Sequence, residues 1–259
     1  MYNDNKLISE KNNNLSVFSH SQEIKNSVSH TTINRGYCGT VHTTTDKASE
    51  EGKMSIVIMG SKNNELFCVT DSRNTNSLTH TFDDNWKKTT KIEDRNMIIA
   101  LAGENSINGK NILDIITEIH YNKRGLSNDE FLNYIAHYLV VNKNGSGIIS
   151  LFAGFYLNEV ATVYTIDILS NNINVRTWGN NEIAFAGVEY SNEFLKRVNI
   201  LAYNDAEEAV KFYSEYIEKI IELNKFLPES CVGGSCQSVT ATLSIFKEMN
   251  DRTYARKRT

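Results

Sequence analysis

The chain has 259 residues, of which 40% are hydrophobic and 22% are charged, as in ordinary soluble globular proteins. Its formal net charge of −4 is small, which argues against nucleic acid or an acidic surface as a partner. No apolar run approaches the roughly 20 residues that a membrane helix needs, and the first residues lack the apolar core of a secretory signal. We therefore expect a cytoplasmic protein with neither a membrane nor a nucleic-acid partner.

The four cysteines, Cys38, Cys68, Cys231 and Cys236, are too few for a disulfide framework in a chain of this length. The last two are separated by VGGS, a wider gap than in a zinc knuckle, and no second pair follows. The histidines show no metal-binding spacing such as HExxH, and no glycine-rich phosphate loop is present. The sequence thus predicts neither a metal nor a cofactor.

Composition divides the chain into three parts. Residues 1–54 are polar and show no sustained period, so we interpret them as an N-terminal extension or a propeptide. Residues 55–248 carry the periodic apolar pattern of a globular domain, and residues 249–259 form a basic tail.

The domain begins with a predicted β-hairpin, in which SIVIM and ELFCVT flank a turn and the second strand ends at Asp71. Residues 72–90 are polar and indicate a long loop with weak strand character. NMIIALAG is a short apolar run that predicts a buried strand ending at Gly103.

Two helices are predicted next. Isoleucines recur at helical spacing in the first, at Ile107, Ile112, Ile115, Ile116 and Ile119. The second opens with a capping box, in which Ser127 is the cap and Glu130 stands three residues later.

The remaining pattern is β segments, a second helical region and a final strand. GIISLFAGFYL, EVATVYTIDI, INVRTW and EIAFAG predict strands, AEEAVKFYSEYIEKIIEL predicts a helix, and SVTATLSIF predicts the last strand. This order of elements predicts an α+β fold, a four-layer αββα sandwich of two antiparallel sheets.

One stretch of the sequence resembles a known family. SIVIMGSKNNELFCVTDSRNT, which ends in the segment from Asp71 to Thr75, is similar to the opening of proteasome β subunits and of the HslV-type peptidase. TTKIEDRNMIIALAG resembles the next family segment, with Lys91 in the place of its lysine, and Gly233-Gly234 match a Gly-Gly before the last strand. The resemblance implies the N-terminal nucleophile hydrolase fold.

The resemblance also implies a catalytic site. The nucleophile of the family is the first residue of the mature chain, sixteen residues before the aspartate, and this count leads from Asp71 to Ser55. The free α-amine of Ser55 would then be the base, with Lys91 and Asp71 tuning its pKa. The backbone N–H of Gly103 would donate to the oxyanion. Removal of residues 1–54 is required, because only then does residue 55 carry a free amine.

Further roles follow from the same resemblance. Glu229 stands where a supporting acid is usual, while Arg73, the backbone of Thr75 and Leu101 would contact the substrate. The implied substrate is a peptide or protein. The implied partners are copies of the chain in a homo-oligomeric ring and an ATP-dependent unfoldase.

Two alternatives stay open at this point. Met54, Val232 and Ala186 replace a glycine and two serines that are usual in the family, which favours a catalytically inactive subunit serving as scaffold or ring partner. Cys38 is a rival nucleophile, although no aspartate stands at the matching distance after it.

Overall fold

The structure is a computed structural model that describes residues 41–43, 55–76, 81–143, 147–169, 172–187, 195, 199–226 and 232–243. The described strands are, in chain order, β1 Val41–Thr43, β2 Val57–Lys62, β3 Glu65–Asp71, β4 Asn74–Asn76, β5 Thr81–Asp83, β6 Thr89–Ile92, β7 Met97–Gly103, β8 Ser106–Ile107, β9 Lys110–Asn111, β10 Ile149–Leu157, β11 Val160–Leu169, β12 Asn172–Trp178, β13 Ile183–Ala186 and β14 Cys236–Thr242. The described helices are α1 Ile112–Asn122, α2 Asn128–Asn142 and α3 Ala206–Asn224.

Two five-stranded sheets form the centre of the fold. Sheet 1 has the order β1-β13-β2-β3-β14, and sheet 2 has the order β12-β11-β10-β7-β6. All pairings are antiparallel except that of β1 with β13, which is parallel. β1 falls within the segment 1–54 that the sequence predicts to be an extension, and it forms the edge of sheet 1 next to β13.

Each sheet contains a hairpin with a two-residue turn. Asn63 and Asn64 adopt φ angles of 49° and 64°, and Asn158 and Glu159 adopt 49° and 66°. This left-handed conformation matches the twist of hairpin strands, and asparagine tolerates it better than most residues. The predicted hairpin before Asp71 is thus confirmed, and its turn lies at Asn63-Asn64.

The helix signals in the sequence correspond to observed caps. Ser127 and Glu130 form the predicted capping box at the start of α2. Asp205 caps α3 by accepting a hydrogen bond from the backbone N–H of Glu208 at 2.8 Å. Ile107, in contrast, lies in β8 and not in the first helix, which begins only at Ile112.

Buried apolar residues form three clusters. The first joins α1 and α2 to one face of sheet 2, and the second joins α3 to one face of sheet 1. The third contains residues of both sheets, including Val57, Met59, Cys68, Ala100 and Phe152. The predicted mixture of helices with antiparallel sheets is confirmed, while the complete four-layer sandwich stays a prediction.

Several predicted features lie outside the described residues. They are Met54, Cys38, Cys231, Glu229 and the tail 249–259. Among the residues that are described, none of the helices combines the length and apolar character that crossing a membrane requires.

Candidate active site

The carboxylate of Asp71 is the centre of a fully buried polar cluster. Oδ1 accepts hydrogen bonds from the backbone N–H of Ile56 at 3.0 Å and from Lys88 Nζ at 2.9 Å. Oδ2 accepts hydrogen bonds from the backbone N–H groups of Arg73 and Gly233, each at 3.2 Å. One side chain thereby connects the start of β2, the end of β3, the segment before β6 and the segment before β14.

The surroundings of this carboxyl determine its charge. Burial raises the pKa of Asp71, while Lys88 and the backbone N–H groups of Gly233 and Ile56 lower it. All four hydrogen-bonding neighbours of the carboxyl are donors, so a protonated carboxyl would place a fifth donor among them. The geometry therefore fits an ionised Asp71 paired with a charged Lys88.

The prediction that Lys91 is the buried lysine beside Asp71 is wrong. Lys91 Nζ lies 3.1 Å from Glu93, and its side chain is 23% exposed. Lys88 takes the predicted place, because its side chain and that of Asp71 are both completely buried. Lys88 precedes β6, and its backbone carbonyl accepts a hydrogen bond from the N–H of Leu101 at 3.0 Å.

Ser55 lies at the start of the strand that Asp71 holds. Its neighbour Ile56 donates to Asp71, and the Asp71 N–H donates back to the Ile56 carbonyl at 3.3 Å. Because side chains alternate along a strand, Ser55 shares the face of Val57, which packs between the two sheets. Ser55 is 5% exposed, so its side chain is buried in this form of the chain.

Gly103 ends β7 with a φ of +80°. A Cβ atom there would collide with the backbone carbonyl of Ile148, so only glycine fits. N–H groups alternate in direction along a strand, and Glu104 donates to Ile148 while Leu101 donates to Lys88. The N–H of Gly103 therefore points to the same side of β7 as the N–H of Leu101, beyond the end of β6. An oxyanion donor near Lys88 requires this direction.

The glycine pair before β14 is required for close packing. A Cβ on Gly233 would collide with the guanidinium of Arg73, and one on Gly234 would collide with Ser72 Oγ and the Asp84 carbonyl. Ser72 Oγ also accepts a hydrogen bond from the backbone N–H of Ser235 at 2.7 Å. The Gly-Gly signal in the sequence thus corresponds to a contact that fixes the loop after Asp71.

The guanidinium of Arg73 is engaged within the chain. Its Nε and Nη2 donate to the two carboxylate oxygens of Asp84 at 2.6 and 3.1 Å, and it lies 4.0 Å from the ring centre of Phe82. Thr75 lies in β4 and is paired with Phe82 of β5, so a peptide would have to use the other edge of β4. Substrate contacts of Arg73 and Thr75 stay predictions.

The structure also locates the other residues singled out by the sequence. Leu101 is buried in the cluster that contacts α1 and α2, on the opposite face of β7 from Ala102. Val232 and Ala186, which replace serines of the family pattern, are 0% and 1% exposed. The pocket role of Leu101 and the supporting role of Glu229 stay predictions.

Sequence reasoning missed Lys88 although a local signal exists. Lys87 and Lys88 form a doublet directly before β6, whereas Lys91 lies inside that strand. The apolar residue after Lys91 favoured the wrong lysine. A lysine at the beginning of the strand can reach across to the end of β3, whereas Lys91 is three residues further along β6.

The cluster contains groups that can support acid–base chemistry. Within the described ranges, no group of three or more His, Cys, Asp and Glu side chains is arranged to hold a metal ion. A buried ammonium beside the first residues of β2 lowers the pKa of neighbouring acids and amines. A backbone N–H at Gly103 can donate to a developing negative charge.

The comparisons with known proteins find similarity to solved structures. No family model and no curated protein matches the chain. A solved structure of a Gly-1 mutant of Anbu, from Hyphomicrobium sp. strain MC1, aligns with 79% of this chain and 95% of its own. The TM-score is 0.49 at 11% sequence identity. A likeness this distant carries no argument about the activity of this chain.

Proposed function

We propose that the chain is a proteasome-type N-terminal nucleophile hydrolase that cleaves peptide bonds with Ser55 after residues 1–54 are removed. The observation that carries this proposal is the fully buried ion pair of Lys88 and Asp71, whose carboxylate also holds the N–H of Ile56. A buried ion pair needs a compensating reason, since apolar residues of similar volume often stabilise a fold as well or better. Its attachment to the residue after a candidate nucleophile supplies that reason.

The reaction begins with a proton transfer within Ser55. Cleavage of the Met54–Ser55 bond leaves an α-amine whose ordinary pKa is about 7.7–8.0, so a fraction is neutral at pH 7. The amine takes the hydroxyl proton while Oγ attacks the substrate carbonyl carbon. It then gives that proton to the leaving nitrogen, and an acyl-enzyme forms. Water attacks the ester, loses a proton to the amine, and releases the acid with regeneration of the hydroxyl.

Three other groups assist these steps. Lys88 lowers the pKa values of the amine and hydroxyl through its positive charge, and Asp71 keeps Lys88 charged and oriented. The N–H of Gly103 donates to the oxyanion of the tetrahedral intermediate. Lys88 takes the role that the sequence resemblance gave to Lys91.

The wider assignments follow from the sequence resemblance. We propose a four-layer αββα sandwich, an extended peptide paired along the backbone of Thr75, and a supporting acid at Glu229. A homo-oligomeric ring in the cytoplasm, supplied by an ATP-dependent unfoldase, belongs to the same proposal.

Processing of the expressed full chain tests the proposal. We expect N-terminal sequencing to find Ser55 as the first residue and a hydroxyl-reactive acylating probe to modify it. Ser55→Ala should leave an uncut chain. Ser61→Ala is the matched control, because this buried serine lies on β2 but bonds to Gly179 and Asn180 at the other end. It should be processed like the wild type.

A second candidate function is a non-catalytic subunit of a proteasome-like assembly. The buried apolar side chains of Val232 and Ala186, at positions where the family pattern has hydroxyls, favour it. A wild-type chain that keeps its full 29.3 kDa mass and takes up no probe would select this function over the first.

A further inference from the structure

The interface between the two sheets is mainly apolar near the hairpin turns and contains more polar side chains towards the other end. Near the hairpin turns it contains Met59, Leu66 and Val163. Continuing along the same strand faces toward the other end, the side chains are hydroxyls and a carboxyl, namely Ser55, Thr70, Ser150, Thr165 and Asp167. All five are at least nine-tenths buried. Buried polar groups in a dry interface are costly unless they are hydrogen-bonded.

The two hairpins place this polar end beside Ser55. The turn of one hairpin bonds to the turn of the other, because Asn64 Nδ2 donates to the Glu159 carbonyl at 2.8 Å and Asn64 Oδ1 accepts from the Ala161 N–H at 2.6 Å. A Cβ on Gly154 would lie 3.3 Å from Met59 Sδ, so β10 packs against β2 further along. The ends opposite the turns therefore also face each other.

Counting residues from the turns brings particular side chains to the same level. Ser55 precedes Asn63 by eight residues, and Ser150 precedes Asn158 by eight. Asp167 is directly opposite Ser150 on the neighbouring strand, and β2 packs against both β10 and β11. Ser150 and Asp167 thus approach the Ser55 end of β2 from the second sheet.

These two residues form a fixed pair. Ser150 Oγ donates to Asp167 Oδ1 at 2.6 Å, and the residues are 2% and 5% exposed. Burial raises the pKa of the Asp167 carboxyl, while the Ser150 hydrogen bond and the charge of Arg176 lower it. In the described interface, Thr70 Oγ1 is fully buried and has no hydrogen-bond partner, so the polar end is not satisfied by its own residues alone.

We propose that Asp167, held by Ser150, is a positioning residue for Ser55, facing it from the second sheet. This inference rests on the proposed function. Lys88 disfavours the ammonium that forms on Ser55 during proton transfer, and Asp71 is already paired with Lys88, so neither group supplies that ammonium with a countercharge. Asp167 supplies it from the second sheet.

A double-mutant cycle in the full chain tests the position of Asp167. Ser55→Ala and Asp167→Asn are made singly and together, and unfolding constants come from denaturant titration. Neighbouring residues should couple, so the double variant should depart from the product of the single effects by more than about twofold. Ser150→Ala enters the same cycle if Asp167→Asn does not fold.

Asp129→Asn is the matched control for the carboxyl-to-amide change. Burial raises the pKa of Asp129 too, but this residue lies in the first turn of α2, on the other side of sheet 2. The unfolding constant of the double variant with Ser55→Ala should therefore equal the product of the two single effects. The proposal would be overturned if Asp167→Asn and Ser150→Ala also combined with Ser55→Ala as a simple product of single effects.

The pH profile of acylation in the processed protein separates positioning from a merely structural role. Asp167→Asn removes a negative charge beside the amine, so the amine pKa falls and the acidic limb of the rate moves down by about one pH unit. A slower rate with an unmoved limb would contradict the role of the countercharge. An uncut wild-type chain would contradict the proposed function, and the cycle would still decide the position of Asp167.

Discussion

Lys88 and Arg95 are both buried among the described residues, and they are held in different ways. Lys88 is paired with one carboxylate, at the end of β3 beside Ser55. Arg95 donates instead to the carbonyls of Lys123 and Leu126, at 2.8 Å each, and to His120 Nδ1 at 2.9 Å. A guanidinium has five fixed donors and suits a crossing of several chain segments, whereas an ammonium is a compact charge whose field reaches a neighbouring group.

The comparison separates a buried charge with structural contacts from one placed near the proposed nucleophile. Arg95 joins the connection between α1 and α2 and packs 4.1 Å from the ring centre of Phe131, so its contacts are structural. Lys88 contacts a carboxylate that also binds the residue after Ser55. Charge reversal or removal at these two positions should therefore separate folding from function.

The largest effect is expected for Lys88→Met. This change leaves Asp71 buried without its countercharge and should lower the free energy of unfolding by about 3–5 kcal/mol. Probe labelling of Ser55 should be lost as well. Lys91→Met is the matched control, since its partly exposed pair with Glu93 contributes only about 0–1 kcal/mol. Denaturant titration and peptide mapping measure both outcomes, and equal loss in the two variants would refute the assignment of Lys88.

Arg95→Met should have the next largest effect, on stability alone. It removes charged donors from two carbonyls and from His120, which should cost about 2–3 kcal/mol of unfolding free energy. Denaturant titration at neutral pH measures the loss. Processing at Ser55 should continue in the folded fraction, and loss of processing there would break the contrast with Lys88.

Ser127→Ala tests the same helix junction more gently. The Ser127 side chain accepts from the backbone N–H of Glu130 at the start of α2, next to the carbonyls that bind Arg95. Its removal should cost about 1 kcal/mol, as for other N-cap residues. Thermal denaturation measures this loss. If the cap and the guanidinium stabilise one junction, the double variant with Arg95→Met should lose less stability than the sum of the two single losses.

The smallest effect concerns pH. Nδ1 of His120 accepts from Arg95 Nε, so its proton is on Nε2, which lies 2.9 Å from Asp94. Burial lowers the pKa of His120, Asp94 opposes this, and Arg95 and Arg124 add to it. The unfolded chain therefore binds the proton more readily, and stability should be constant above about pH 6.5 and fall as pH decreases below it.

Denaturation midpoints between pH 5 and 8 measure this dependence. His120→Gln keeps a similar side-chain length without titrating, so its midpoint should fall less steeply below pH 6.5 than that of the wild type. An unchanged slope would assign the pH dependence to another group.

Local signals were sufficient for much of the fold. The hairpin turn and the capping box at Ser127 depend on neighbouring residues in the sequence, and both were predictable. The strands in the long segment 72–90 were harder to predict. β4 and β5 pair only with each other, and β6 joins sheet 2 at its edge.

The site was predictable only where a residue is fixed by its own strand. Asp71 follows an apolar strand within a recognisable motif. Choosing Lys88 over Lys91 requires the path of the preceding loop, which has no period. The proposed approach of Ser150 and Asp167 to Ser55 depends on how two hairpins stack, and no local sequence signal encodes that stacking.

The most direct test of the account is to react the expressed full chain with a hydroxyl-reactive acylating probe and map the modified residue by mass spectrometry. The account predicts an N-terminal Ser55 carrying the probe in the wild type and in Lys91→Met, and no modification in folded Lys88→Met. A wild-type chain of unchanged 29.3 kDa mass without the probe on Ser55 would contradict it.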